Sequence, residues 1–193
     1  MIGLPKLKFE KDHICEACQK GKQVKNSFKL KNVVSSLKLL ELLQMDLFGP
    51  SRTMSLGGNY YALVIVDDFS RFTWTLFLES KSDAFSAFKK LTRRLQNTKN
   101  NNIGLIRSDN GGQFQNEKFI KFCEKMGILH NFLAPRTPQQ NGVVERKNTS
   151  LEELARTMLS ESSLPKYFWV DFVSTSCYVM NSCLLYTSDA ADE

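Results

Sequence analysis

A chain of 193 residues with 42% apolar and 24% charged residues has the composition of a globular domain with one sizeable core, and its net charge is +6. The longest apolar run, YYALVIV at 60–66, is too short to cross a bilayer, and the opening MIGLPKLKFEKDH lacks the apolar stretch of a secretory signal. Membrane and secreted classes are therefore set aside, an intracellular protein is expected, and five irregularly spaced cysteines do not read as a disulfide framework.

The first 38 residues hold nine lysines against Glu10, Asp12 and Glu16, which is the whole charge surplus, while 39–193 is balanced. A basic arm beside a neutral domain suits a polyanion such as nucleic acid, although a solvated lysine-rich linker accounts for the charge equally well. Within the arm Cys15 and Cys18 form a C-x-x-C pair, half of a tetrahedral zinc site. His13 is two residues from Cys15 and His130 lies far downstream, so no closed four-ligand set is evident and two reduced cysteines are the plainer reading.

From 39 to 182 strand and helix signals alternate. An apolar run at 42–48 (LLQMDLF), ended by Gly49 and Pro50, reads as a strand. Residues 60–66 and 72–78 (FTWTLFL) are rich in β-branched and aromatic residues and flank the turn Asp67-Asp68-Phe69-Ser70, which predicts a hairpin. Helical spacing of Ala84, Phe85, Phe88, Leu91 and Leu95 predicts a helix over 82–96. A buried strand is expected at 103–106, a helix at 116–126 with Phe119, Ile120, Phe122 and Cys123 on its apolar face, and a fifth strand at 128–133. The loop-forming PRTPQQNG at 135–142 precedes a helix expected over 143–160, striped by Val144, Leu151, Leu154, Ala155 and Met158. A last helix is expected over 165–180, with Pro165 in its first turn. Hairpin strands followed by strand–helix units argue for an α/β fold with a mixed sheet packed by helices. Residues 183–193, CLLYTSDAADE, break the pattern and read like the translation of a sequencing-library adapter, or else as a disordered acidic tail. The expected division is thus a basic segment 1–38, a domain 39–182 and a tail 183–193.

Three carboxylates stand out. Asp46 interrupts an apolar strand, where a carboxylate is costly unless it is paired, metal-bound or solvated at a site. Asp109 follows the fourth strand and precedes Gly111 and Gly112, and Glu145 lies in the first turn of the long helix. Singly, each has a bland explanation: an edge-strand acid, a turn acid, a glutamate favoured by the helix dipole.

Taken with their surroundings they are specific, since 35 residues separate Asp109 from Glu145. The stretches LQMDLFGP, YYALVIVDDFSRFTW, IRSDNGGQF and APRTPQQNGVVERKN resemble the core of Copia-type retrotransposon integrases, in the retroviral integrase superfamily, over residues 4 to 182. The resemblance implies a ribonuclease H-like fold, a five-stranded mixed sheet flanked by helices, with Asp46, Asp109 and Glu145 as the D, D-35-E catalytic triad. Asp67 and Asp68, in the family's DDFSR stretch, are expected to be structural.

The implied chemistry is metal-dependent DNA strand transfer. Three carboxylates close together repel, each pair costing on the order of 4 kcal/mol at 4 Å and an effective dielectric near 20. Two Mg²⁺ or Mn²⁺ ions, suited to hard oxygen ligands, would relieve this. The implied partners are element cDNA ends and target DNA, in a homo-oligomer, in cytoplasmic particles and then the nucleus. Asn141, Gly142, Arg146 and Lys147 are the expected DNA contacts. Zn²⁺ on Cys15 and Cys18 would need the family's upstream His pair. Where relatives carry glutamate this chain has Gln113, and where they often carry a basic residue it has Thr149. The isolated chain is therefore expected to join DNA poorly. A non-catalytic nucleic-acid-binding relic and a ribonuclease H-like nuclease are the alternatives.

Overall fold

The computed structural model describes residues 36–99, 102–132 and 142–189. Five strands form one sheet: β1 (Leu42–Phe48), β2 (Tyr61–Asp67), β3 (Thr73–Leu78), β4 (Leu105–Ser108) and β5 (Leu129–Phe132). The order across the sheet is β3-β2-β1-β4-β5. The β1–β2 and β2–β3 pairs are antiparallel, and the β1–β4 and β4–β5 pairs are parallel, so the sheet is mixed as expected. Four helices cover it: α1 (Ala84–Lys99), α2 (Glu117–Met126), α3 (Gly142–Ser162) and α4 (Trp169–Asp189).

Strand alternation sorts the side chains onto two faces. Leu43, Met45, Leu63, Ile65 and Ile106 join Phe88, Phe114 and Phe119 in a core under α1 and α2. These three phenylalanines are fully buried, and Phe88 stacks on Phe119 with ring centroids 5.0 Å apart. Burial of such a side chain contributes about 1.5–3 kcal/mol. The opposite face of β2, Ala62, Val64 and Val66, packs against Val144, Leu151 and Ala155 of α3 and against Trp169, Val173 and Cys177 of α4.

α4 also closes the sheet's outer edge. Asn181 Nδ2 donates to Thr73 O (2.8 Å) while its Oδ1 accepts from Thr73 N (2.9 Å). One amide thus stands in for a neighbouring strand at the start of β3, where main-chain groups would otherwise be unpaired. The expected elements are all present, with shifted ends. A 3₁₀ turn, Lys81–Asp83, precedes α1 and another, Lys166–Phe168, precedes α4. The last helix runs past the expected end at Met180 to Asp189, so the division expected between 182 and 183 falls inside it. None of the helices among the described residues is long and apolar enough to cross a membrane.

Candidate active site

The sheet register brings the first two acids together. β1 and β4 run parallel with Leu42 opposite Leu105, Leu43 opposite Ile106 and Gln44 opposite Arg107. Continued two residues, to one residue past the end of β4, that register sets Asp109 level with Asp46. Alternation puts both on one face. Leu43 and Ile106 point to the α1/α2 core, so Gln44, Asp46 and Asp109 belong to the face covered by α3.

Asp46 is partly buried. Its Oδ1 accepts from Leu47 N (2.9 Å) and its Oδ2 from Asn148 Nδ2 (2.7 Å). Burial pushes its pKa up to about 6, and the charges of Asp109 and Glu145 add to the rise against the lowering effect of the two hydrogen bonds. Asp46 therefore feels both other members of the expected triad.

Asp109 sits where the chain leaves β4. Its Oδ1 accepts from Gly111 N (3.2 Å), and the Gln113 side-chain amide approaches the same oxygen at 3.5 Å. The Gln113 side chain folds across Gly111, and a Cβ there would push that flexible amide off Asp109.

Glu145 is exposed in the first turn of α3. Asn148, three residues on, shares its helix face, and the bond from Asn148 to Asp46 fixes that face toward β1. Asn148 is 6% exposed, and its Oδ1 has no hydrogen-bond partner among the described residues. The sequence reading passes over this residue. The signal available is an asparagine inside a helix, where its side chain gains little locally and favours caps instead. Thr149, one turn past Glu145, turns its hydroxyl onto Glu145 O (3.0 Å).

The expected DNA contacts divide. Arg146 is exposed and folds back over the helix start, its Nη1 2.9 Å from where a Cβ on Gly142 would stand. Gly142 thus leaves room for the guanidinium. Lys147 is half-buried beside the Cys177 thiol of α4, and burial, with a smaller contribution from the charge of Arg71, lowers its pKa. Two residues past Glu145 is about 200° round a helix, so Lys147 faces the α4 flank and not the carboxylates. Asn141, Cys15 and Cys18 lie outside the described residues.

The two decoy acids are spoken for. Asp67, fully buried, accepts from Leu40 N, Ser70 N and Ser70 Oγ at 3.0, 2.9 and 2.6 Å. Asp68, also fully buried, accepts from Gln44 Nε2 (2.7 Å), Arg71 Nη1 (3.0 Å) and Ser36 Oγ (3.2 Å). They tie the β2–β3 turn to β1 and to the segment before it.

The donor set at the sheet edge suits a hard divalent cation. Three carboxylates and the unpartnered carbonyl oxygen of Asn148 are all hard oxygen donors, and a cation would offset the burial and like-charge repulsion that disfavour ionised Asp46. The acids are near but not closed into a cage: among the described residues, no three His, Cys, Asp or Glu side chains are close enough to enclose one ion.

Comparison with known proteins gives the family and the fold. Residues 38–138 match the family model described as integrase core domain. The retrovirus-related Pol polyprotein from transposon TNT 1-94 of Nicotiana tabacum is 38% identical over 167 residues, covering 86% of this chain and 12% of that protein. The corresponding polyprotein from transposon RE2 of Arabidopsis thaliana is 35% identical over 86% of this chain and 11% of its own length. The Ty1-DR6 Gag-Pol polyprotein of Saccharomyces cerevisiae is 28% identical over 89% and 10%. The chain thus spans about an eighth or less of these relatives. Among solved structures, an integrase chain of the simian T-cell lymphotropic virus intasome in complex with PP2A regulatory subunit B56 gamma superposes with a TM-score of 0.60 at 23% identity, covering 86% of this chain and 56% of that one. The HTLV-2 integrase catalytic core domain in complex with magnesium (dimeric form) gives 0.55 at 22%, covering 74% and 86%. The fold is ribonuclease H-like, and the chain belongs to the integrase core domain family, among the Pol polyproteins of Ty1/copia-type retrotransposons.

Proposed function

We propose that this chain supplies the catalytic centre of a retrotransposon integrase, joining the 3′ ends of element DNA to target DNA. The observation that carries the reading is the parallel register of β1 and β4, whose continuation one residue past β4 brings Asp109 level with Asp46, together with the charges of Asp109 and Glu145 acting on Asp46. The reaction is an in-line phosphodiester exchange. The 3′-hydroxyl oxygen of the element end forms a bond to a target phosphorus, and the bond from that phosphorus to its former 3′ oxygen breaks. The attacking hydroxyl loses its proton to solvent and the released 3′ oxygen takes one up, so the number of phosphodiesters is unchanged.

Asp46, Asp109 and Glu145 would hold the divalent ions, which supply charge to activate the attacking oxygen and stabilise the leaving one. Magnesium in the HTLV-2 core supports that choice. The protein's own part is placement. Leu47 N and Asn148 hold the Asp46 carboxylate, Gly111 N holds that of Asp109, and exposed Glu145 stands where a substrate can reach it. Exposed Arg146 is set for a phosphate, a contact that gives affinity and salt dependence but little sequence choice. The lysine-rich residues 1–38 would extend that grip. The intasome and the dimeric core among the neighbours support a homo-oligomer as the working form.

The test is a labelled element end incubated with plasmid, Mn²⁺ and the chain. Weak joined product, absent with Asp46→Asn, is expected. Cut product that is never joined would make the chain a nuclease. Bound but unchanged DNA, with Mn²⁺ affinity untouched by Asp46→Asn, would make it a binding relic.

A further inference from the structure

His130 has no part in the chemistry described so far, yet it is placed directly behind it. It lies on β5 opposite Ile106 in the parallel register, and Ser108, two residues along β4, points to the same face. That is the α1/α2 face, the reverse of the one carrying Asp46 and Asp109. The imidazole is packed between Phe119 (centroids 5.2 Å apart) and Phe132 (4.1 Å). Its Nε2 lies 2.9 Å from Ser108 Oγ, and Ser108 Oγ, fully buried, donates to Asp109 O at 3.1 Å.

The proton count orders this chain. Ser108 has one hydroxyl proton, and it goes to the Asp109 carbonyl. The short contact to Nε2 must then be made with the imidazole as donor, so Nε2 carries the ring proton. Nδ1, buried without a partner among the described residues, is left as the bare nitrogen, which costs less than an orphaned N–H. Burial lowers the pKa of the ring to about 4, so this neutral tautomer holds throughout the neutral range.

We infer that His130 is a positioning residue for Asp109: from behind the sheet its ring N–H orients the Ser108 hydroxyl, which in turn anchors the Asp109 main chain where it leaves β4. The inference rests on the proposed role of Asp109 as a metal ligand. Its purpose is geometric. β4 ends at Ser108. The ligand therefore sits one residue past the last ladder position, where no strand pairing holds its peptide. The hydroxyl replaces the missing ladder bond, and the aromatic packing fixes the imidazole that aims the hydroxyl.

The experiment is Mn²⁺ titration of the full chain, read by the electron paramagnetic resonance of free Mn²⁺, alongside thermal melting by circular dichroism. Ser108→Ala and His130→Phe are each expected to weaken Mn²⁺ binding roughly tenfold, the usual range for an outer-shell partner of a ligand. The double variant is expected to bind about as weakly as either single one, because both break one chain of bonds. Two His130 variants separate positioning from packing. His130→Phe keeps the ring stack and loses the donor, so it should melt near the parent and bind Mn²⁺ weakly. His130→Gln loses the stack but keeps an N–H at similar reach, so it should melt lower and recover most of the affinity. The reverse order of affinities, Phe above Gln, or parent-like binding by all variants, overturns the inference. Asp109→Asn marks the boundary with the wider reading. If it abolishes binding while Ser108→Ala and His130→Phe do not, the inference alone fails; if it too binds like the parent, Asp109 is no ligand and both fail.

Discussion

Two groups of acids sit within one sheet and are treated in opposite ways. At the β2–β3 turn, Asp67 and Asp68 are wholly removed from solvent, and backbone N–H groups, hydroxyls, an amide and a guanidinium converge on them. Toward the end of β1, Asp46 is less buried and has only two hydrogen bonds, and burial, with the charges of Asp109 and Glu145 adding to it, raises its pKa to about 6. Burial is the main cost at Asp46, and the partners present decide how far such a cost is offset. A buried carboxylate surrounded by donors is part of the scaffold, whereas one left short of positive charge is a place where a cation is wanted.

The largest expected effect tests the second group. Asp46→Asn, Asp109→Asn or Glu145→Gln should each reduce joining in Mn²⁺ by at least about 10³-fold, or about 4 kcal/mol of barrier. The same Asp46→Asn change should leave the fold intact and raise its stability at pH 7 by about 1–2 kcal/mol. That figure discounts, for partial solvation, a displacement worth at most about 3 kcal/mol. Calorimetric melting beside the joining assay checks both. Next in size, Asp68→Asn should lower stability by about 2–4 kcal/mol, because Arg71 loses its buried counter-charge. A variant of Asp68 that melts like the parent but cannot join DNA would reverse the roles given to the two groups.

The same contrast has a pH signature. The pKa of Asp46 is raised on folding, so its contribution is fully present below about pH 4 and is lost as pH rises through about 6. That of His130 is lowered to about 4, so its contribution is present above about pH 6.5 and is lost as pH falls through 4. Over pH 4 to 6 the two slopes oppose each other. Removing one should expose the other: in Asp46→Asn the melting temperature should fall more steeply on acidification than in the parent, by a few degrees across that window. Parallel curves for the two proteins would show that Asp46 does not titrate as described.

The parts of this arrangement legible in the sequence are those set by local pattern. β1 spans 42–48 as expected, because an apolar run meets Gly49 and Pro50. α3 starts within one residue of its expected position, and the mixed character of the sheet follows from a hairpin leading into strand–helix units. β4 is less legible. Ile103 is fully buried, yet the ladder begins at Leu105, since Gly104 N first bonds to Leu40 O across the sheet end. Asp46, Asp109 and Glu145 stood out through spacing and resemblance, whereas Asn148 and His130 did not, and for one reason. Each acts through a partner 102 or 22 residues away, and nothing in the local pattern marks the pairing. Lys147 shows the complementary limit: a basic residue two positions from Glu145 in sequence is on the opposite side of the helix in space.

The smallest expected effect concerns Asn148, which stands between the two regimes. Its amide gives Asp46 one good donor, as the scaffold acids are given several, while its own carbonyl oxygen is left buried and unpartnered. Removing the side chain therefore has offsetting consequences. Asn148→Ala loses one hydrogen bond to a carboxylate, about 1 kcal/mol, and also removes the orphaned oxygen, which relieves a penalty of similar size. Net stability should change by less than about 1 kcal/mol. The Asp46 carboxyl, deprived of that donor, should titrate higher still, and joining should fall by roughly tenfold with most of the loss at pH 6 and less at pH 8, where the carboxylate is ionised regardless. A pH-rate profile of Asn148→Ala against the parent reads this directly. A loss that is the same at both pH values would mean that Asn148 places Asp46 without tuning its charge, and equal rates at both would mean that the contact holds α3 to the sheet and nothing more.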